Sequence, residues 1–129
     1  MPLKNYITVL AYDGDVFSIE FLVTRSGEVP AQSWLDSISL SAQQKFAALF
    51  TRLGDHGKIW NEKKFKHLTE SDQIFEFKVD DGRVLAFFFI GKRVILTHGF
   101  KKKGKKTPKG EIARAEGYKK EFEERNNHE

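Results

Sequence analysis

A run of lysines near the C-terminal end of the chain could bind phosphate. Five lysines lie within HGFKKKGKKTP, residues 98–108, and no acidic residue interrupts them. They directly precede a predicted helix, whose first turn exposes unpaired backbone N–H groups and the positive end of the helix dipole, so lysines there are mildly destabilising unless an anion is bound. Backbone donors, the dipole and ammonium groups together favour phosphate binding, and a lysine run that only solvates the surface is the alternative.

The charge of the chain is concentrated in this region. The formal net charge is +4, yet residues 91–110 contain eight Lys or Arg and no Asp or Glu, so the remainder is net acidic. This asymmetry favours a local anion-binding surface over a generally basic protein. The nucleotide-binding pattern Gly-x-x-x-x-Gly-Lys-Ser/Thr is not present, so a polyanion fits the lysine run better than a single nucleotide.

Other residues with catalytic or metal-binding chemistry are few. Cysteine is absent, which excludes disulfides, thiol nucleophiles and Cys-ligated zinc. His98 is a candidate general acid or base because imidazole titrates near neutrality. Its alternation with apolar residues of the same predicted strand equally favours a packed histidine that is hydrogen-bonded to backbone. His56, His67 and His128 lack metal-ligand spacing, so we expect neither a metal site nor a small-molecule cofactor.

The N-terminal half is predicted to supply a strand pair and a helical hairpin. Tyr6–Leu10 and residues 16–23 are rich in β-branched and aromatic residues and are separated by an Asp-Gly turn. Pro30 suits the first position of a short amphipathic helix. A second helix is predicted with Ser41 as its N-cap and Gly54 as its stop.

The C-terminal half is predicted to form a three-stranded antiparallel meander and a final helix. Ile74–Val79 alternates between apolar and polar residues, as a half-buried strand does. Arg83–Ile90 is apolar on both faces and is predicted to be a central strand, followed by Val94–Phe100. Thr107 and the proline after it are predicted to start a helix that ends near residue 124. The predicted fold class is therefore α+β.

The length of 129 residues suits one domain with one hydrophobic core. We therefore predict a single domain over residues 1–129, in which residues 1–15 form an N-terminal extension or an extra strand. The longest apolar run, residues 84–90, is far shorter than the roughly 20 residues of a membrane span. No secretory signal is evident at the N-terminus. We expect a cytoplasmic protein with no membrane partner.

Several segments of the sequence carry a family resemblance. They are GEVPAQSWLDSI, FKHL, IFEFKV, DGRVLAFFF, VILTHGFKKKGKKTP and EIARA. Over about residues 16–125 the chain resembles the RelE/ParE superfamily of bacterial toxins, and most closely its HigB-like, phage-derived branch. The resemblance implies a RelE/ParE-like fold and the toxin of a type II toxin–antitoxin system. It also implies ribosome-dependent, metal-independent cleavage of messenger RNA, which inhibits translation, and a helix-turn-helix antitoxin as partner.

The resemblance also implies roles for individual basic residues. It assigns Arg83 to the scissile phosphate, and Lys102 and Lys103 to transition-state stabilisation or proton transfer. Lys78 joins them as a candidate, with a local or cross-strand ion pair as the alternative. His98 completes the catalytic candidates. The residues predicted to contact the RNA backbone are Arg93, Lys101, Lys105, Lys106 and Lys109.

Two other functions remain open at this stage. ParE-type relatives share the fold but inhibit DNA gyrase without cutting RNA, so the scaffold alone does not determine the activity. A non-enzymatic nucleic-acid-binding module would also explain the lysine run.

Overall fold

The computed structural model of the protein describes residues 6–71 and 73–127. Within these ranges six strands form one mixed sheet in the order β1-β2-β6-β5-β4-β3. The strands are β1 (Thr8–Asp13), β2 (Ser18–Leu22), β3 (Phe65–His67), β4 (Phe75–Val79), β5 (Gly82–Phe89) and β6 (Arg93–Lys101). The helices are α1 (Pro30–Ser37), α2 (Leu40–His56) and α3 (Lys109–Asn126). The predicted α+β class, the helical hairpin and the antiparallel β4–β5–β6 meander are confirmed.

Two features of this sheet are absent from the sequence prediction. β3 contains only three residues, too few for an alternating pattern to emerge. β2 pairs in parallel with β6, with Ser18 opposite Arg93 and Phe21 opposite Leu96. No local pattern indicates this pairing, because it joins segments that are distant in sequence. The predicted first strand is the edge strand β1, and residues 1–5 of the predicted extension lie outside the described residues.

The boundaries of α2 differ from the prediction at both ends. Ser39, rather than Ser41, is the N-cap, and its hydroxyl accepts a hydrogen bond from the N–H of the third residue of the helix. The helix ends at Gly57, which has a left-handed φ of 77°. Gly54 lies inside the helix and is buried, so its prediction as the stop is wrong.

Helices cover both faces of the sheet. α1 and α2 pack on one face, in a core that includes Ile19, Phe46, Phe50, Phe77, Val84 and Leu96. α3 packs on the other face, in a core that includes Leu85, Phe87, Ile95, Ile112 and Phe122. β5 is buried on both faces, which confirms the predicted central strand. The start of α3 therefore lies over the polar face of β4.

No helix in the described parts of the chain combines the length and the apolar character that crossing a membrane requires.

Candidate nucleic-acid interface

Three of the predicted catalytic residues meet at the end of the sheet where β4 turns into β5. Lys78 lies directly opposite Arg83 in the β4–β5 pair. Arg83 in turn lies opposite Phe100 of β6, two residues before Lys102. The backbone N–H of Lys102 donates to the carbonyl oxygen of Asp81 at 2.7 Å, which holds the start of the lysine run against the β4–β5 turn. The fold thus brings together cations that are distant in sequence.

Lys66 joins these residues from β3. It lies opposite Glu76 in the β3–β4 pair, so its side chain is on the same face of the sheet as that of Lys78. Burial lowers the pKa of Lys78, and repulsion from Lys66, Arg83 and Lys102 lowers it further against the opposing effect of Glu76. The salt bridges within the described chain do not include Lys78. The four cations, called the basic cluster below, are Lys66, Lys78, Arg83 and Lys102.

A fully buried carboxylate, that of Glu76, lies beneath the basic cluster. One of its oxygens accepts a hydrogen bond from the hydroxyl of Thr107, and the other lies 3.5 Å from Nε of Arg83. Within the described chain neither this second oxygen nor Arg83 Nε has a hydrogen-bond partner. Buried polar atoms are rarely left in this state, because their desolvation is not compensated. Arg83 of the cluster and the buried Glu76 therefore form an ion pair that is close but incompletely hydrogen-bonded.

The contact of Thr107 with Glu76 replaces the predicted helix cap. α3 begins at Lys109, and Pro108 occupies the N-cap position without a side-chain hydrogen bond. The prediction that Thr107 caps the helix is therefore wrong. Because its hydroxyl binds a buried residue of β4, the C-terminal end of the lysine run is fastened to the sheet.

The guanidinium group of Arg83 is held in place by the backbone of the β4–β5 turn. Its Nη1 donates to the carbonyl oxygens of Asp80 and Gly82 at 2.8 and 2.9 Å. Only 11% of the side chain is exposed. Nη2 has no hydrogen-bond partner among the residues that the structure describes. A planar guanidinium with one fixed edge and one available edge is suited to bind a phosphate oxygen.

The first two lysines of the run point to opposite faces of the sheet. Lys102 is partly buried and belongs to the basic cluster. Lys101 lies opposite Gly82 and lines a cleft beside α1, where its Nζ is 3.5 Å from the carboxylate of Asp81. The alternation of β6 therefore removes Lys101 from the cluster.

The remaining lysines of the run are on the surface beside the cluster. Lys103, Lys105 and Lys106 are exposed in the loop before α3, and Lys109 is exposed at its first residue. The structure brings these residues to the same end of the sheet as Arg83 because β6 ends there.

Arg93 does not lie with the other predicted RNA contacts. It begins β6, a strand of nine residues, so about 26 Å separates it from the lysine run. Its Nε and Nη2 each donate to an oxygen of Glu20 at 2.8 Å. Bonding to Glu20 raises the pKa of Arg93, against the effect of burial.

His98 is a packed histidine in the interface between β6 and α3. It is 1% exposed, and its Nδ1 and Nε2 lie 3.1 and 3.0 Å from the side-chain oxygens of Thr97 and Glu111. Burial lowers its pKa, and the hydrogen bond to Glu111 partly opposes this. The packed arrangement was one of the two sequence hypotheses, although the partners here are side chains rather than backbone.

The part of the chain that forms this site matches a known protein family. A family model described as phage-derived protein Gp49-like (DUF891) matches residues 33–120, which include the whole basic cluster, Glu76 and Thr107. The chain belongs to this family. The Gp49-like proteins are a toxin-like family related to RelE and HigB. A search of curated proteins found no significant match to this Gp49-like chain.

Sequence reasoning missed the structural partners of the cluster in this Gp49-like protein. Lys66 lies on a strand too short to predict, and the alternation of β4 placed Glu76 on a polar face without indicating what covers it. A usable signal was present nonetheless. The apolar stripe of the last helix requires a sheet face to cover, and β4 has its polar residues on the face opposite the helical hairpin. Glu76 could thus have been predicted to lie under the start of α3.

Proposed function

We propose that this Gp49-like protein is the toxin of a type II toxin–antitoxin system and that it cleaves messenger RNA on the ribosome. The observation that carries this proposal is the basic cluster itself. Four cations lie on one face at one end of the sheet, where burial and mutual repulsion lower the pKa of Lys78. A fold built only for stability would not gather them, because like charges repel when few anions offset them.

The proposed reaction is a transesterification within the RNA. The 2′-oxygen forms a bond to phosphorus and loses its proton, while the bond from phosphorus to the 5′-oxygen breaks and that oxygen gains a proton. The products are a 2′,3′-cyclic phosphate and a free 5′-hydroxyl. The phosphorane between them carries additional negative charge, which fixed cations stabilise more strongly than they stabilise the substrate.

The residues of the cluster suit the separate requirements of this reaction. Arg83 has its available Nη2 for the phosphorane oxygens, and its Nη1 is already positioned by the β4–β5 turn. Lys102 adds a second positive charge from the residue that follows β6. Lys78 is the candidate for proton transfer, because a lowered pKa increases the neutral fraction of an amine at neutral pH. Lys103, Lys105, Lys106 and Lys109 are proposed to bind flanking phosphates.

The proposed biological context follows from the family. We expect a small helix-turn-helix antitoxin encoded beside the toxin, and the ribosome as the place where the message is presented. Both would act with this protein in the cytoplasm. An antitoxin that covers the basic cluster would suppress toxicity by charge neutralisation and exclusion of RNA.

Primer extension on a translated message after a pulse of expression tests the proposal. The wild-type protein should stop growth and produce new 5′ ends within codons. Arg83→Ala should abolish both effects, and Lys102→Ala should reduce them more than Lys103→Ala, because only Lys102 belongs to the basic cluster. Lys120→Ala is a matched control that removes a lysine from the exposed surface of α3, and it should behave as the wild type.

Intact messages in growth-arrested cells would contradict the proposal. A DNA-damage response with uncut messages would indicate a gyrase inhibitor instead. Unimpaired growth, together with salt-dependent RNA binding by the purified protein, would indicate a binding module.

A further inference from the structure

Trp60 is the most exposed large hydrophobic residue of the described chain, with 81% of its surface accessible. It lies in the loop between α2 and β3, and Nζ of Lys58 is 4.7 Å from the centroid of its ring. The exposed residues around it are polar, and residues 58–66 contain four lysines against one acidic residue. Burial therefore does not explain why a tryptophan is at this position.

This loop leads directly to the basic cluster. The backbone N–H of Lys64 donates to the carbonyl oxygen of Asn61 at 2.9 Å, so the residue after Trp60 is one turn away from the start of β3. The carbonyl oxygen of Lys64 accepts from the N–H of Lys78 at 2.8 Å, which extends the β3–β4 pair to the level of Arg83. Two strand spacings, about 10 Å in all, separate β3 from β5.

We infer that Trp60 stacks on a base of the single-stranded RNA whose backbone lies on the basic cluster. This inference rests on the proposed function and extends its binding surface beyond the lysine run. The proposed path runs from Arg83 across Lys78 and Lys66 toward the loop before β3, which carries the exposed indole ring.

The chemistry of the surface favours RNA over a protein partner. Single-stranded nucleic acid is bound by positively charged grooves that follow the backbone and by aromatic side chains on which bases stack. The loop supplies both components, since Lys58 lies against the indole and Lys66 faces the cluster. The core of a protein interface is depleted of charged residues such as Lys and Glu, whereas residues 61–64 beside Trp60 are exposed and include Glu62, Lys63 and Lys64.

Fluorescence anisotropy with a labelled, unstructured single-stranded oligoribonucleotide at several salt concentrations tests this inference. Trp60→Ala should weaken binding by about 5- to 100-fold, and Trp60→Phe should retain most of the affinity, because phenylalanine keeps a stacking face. The salt dependence of Trp60→Ala should match that of the wild type, since no phosphate contact is lost. Lys102→Ala should instead reduce the slope of log affinity against log salt by about 0.7.

Ile90→Ala is the matched control for the loss of an exposed apolar side chain. Ile90 is 80% exposed in the β5–β6 turn, at the end of the sheet away from the basic cluster, and its replacement should leave RNA affinity unchanged.

Three results would overturn the inference. The first is equal affinity of Trp60→Ala and the wild type. The second is a loss of toxicity in Trp60→Ala with normal RNA affinity, which would indicate a protein surface as the partner. The third is a lack of RNA binding by the wild type even at low salt. The primer-extension experiment judges the proposed function independently, so cleavage of messages with no effect of Trp60→Ala on affinity would reject only the role of Trp60.

Discussion

Two buried arginine–glutamate pairs at opposite ends of the sheet differ in how completely they are bonded. Arg93 donates to both carboxylate oxygens of Glu20 at 2.8 Å, and the hydroxyl of Thr8 donates a further bond to that carboxylate. Burial raises the pKa of Glu20, but these hydrogen bonds, together with the charge of Arg93 and a bond from Ser18, lower it overall. In the other pair, Arg83 and Glu76 approach only to 3.5 Å, without a hydrogen bond between them.

The surroundings of the two arginines differ as well. The guanidinium of Arg93 lies 5.6 and 5.5 Å from the ring centroids of Phe89 and Phe122. Arg83 instead lies opposite Lys78 in the β4–β5 pair, and its Nη2 has no hydrogen-bond partner among the described residues. An arginine whose Nε and Nη2 are both bonded to a carboxylate has to break that pair before it can bind a phosphate with the same nitrogens. Arg93 therefore has its fork occupied within the fold, whereas Arg83 keeps its Nη2 without a hydrogen bond in the described chain, as the proposed binding of a phosphate requires.

The largest expected effect is the loss of RNA cleavage on replacement of Arg83. Arg83→Lys keeps the charge but removes the planar fork that holds both the turn carbonyls and the phosphorane. We expect cleavage to fall by about 100- to 1,000-fold, the size seen when one transition-state donor is lost. Cleavage of a defined message in a translation reaction with purified ribosomes measures this.

Arg93→Lys is the control that makes this result specific. It is the same substitution at the opposite end of the sheet, and cleavage per folded molecule should be retained. Equal losses of cleavage in both variants would mean that the two arginines do not differ in role.

The second prediction concerns the other arginine, Arg93, and its contribution to the free energy of unfolding. Arg93→Ala leaves Glu20 buried without its cation, and we expect the free energy of unfolding to fall by about 3 kcal/mol. This value is at the lower end for a broken buried pair, because the Arg93 side chain is 25% exposed. Urea unfolding followed by circular dichroism provides the measurement. A loss no larger than that of a surface substitution, about 0.5 kcal/mol, would contradict a structural role for Arg93.

Local structure in this protein could be predicted from the sequence alone, whereas long-range pairing could not. The alternation of β4, the apolar run of β5 and the position of Pro30 predict local structure well, because each depends on neighbouring residues. The parallel pairing of β2 with β6 depends on residues far apart in the chain. That pairing places Arg93 beside Glu20, and nothing in the local sequence distinguishes this arginine from Arg83.

The candidate site likewise combines features that are local in the sequence with features that depend on distant residues. The lysine run was evident from composition, whereas its separation into Lys101 on one face and Lys102 on the other depends on the register of β6. The alternation of β4 predicted Glu76 on the polar face of a half-buried strand, but alternation identifies two faces without revealing which helix covers each. The contacts of the Glu76 carboxylate with Thr107 and Arg83 therefore emerged only from the tertiary structure.

The third prediction concerns the hydrogen bond from Thr107 to Glu76, which attaches the end of the lysine run to β4. Thr107→Val removes the hydroxyl that donates to Glu76, so a buried carboxylate oxygen loses its partner. We expect a loss of about 2 kcal/mol in the free energy of unfolding, as for other buried acceptors left without a donor. Thr107→Ser retains the hydroxyl and should lose less than Thr107→Val. Similar losses in the two variants would indicate that the methyl group, rather than the hydrogen bond, stabilises this segment.

The smallest expected effect is the pH dependence of stability due to His98. Its pKa in the folded state is lowered, chiefly by burial, from the ordinary value of 6.5, so the unfolded chain binds the proton more readily. The free energy of unfolding should therefore decrease as the pH falls below 6.5, by at most about 1.4 kcal/mol per pH unit, until the folded-state pKa is reached. Urea unfolding of the wild type and His98→Gln between about pH 8 and pH 5 isolates this contribution as a difference in slope.

Replacement of Glu111, which is hydrogen-bonded to His98, gives a second test of the His98 titration. The carboxylate of Glu111 accepts a hydrogen bond from Nε2 of His98, and it opposes the lowering of the His98 pKa, whereas Arg114 adds to that lowering. Glu111→Gln should therefore extend the His98-dependent loss of stability to lower pH. If the wild type instead gained stability relative to His98→Gln as the pH falls, the folded protein would hold a charged imidazolium against Glu111. His98 would then resemble the saturated pair of Arg93 and Glu20 rather than a neutral residue of the core.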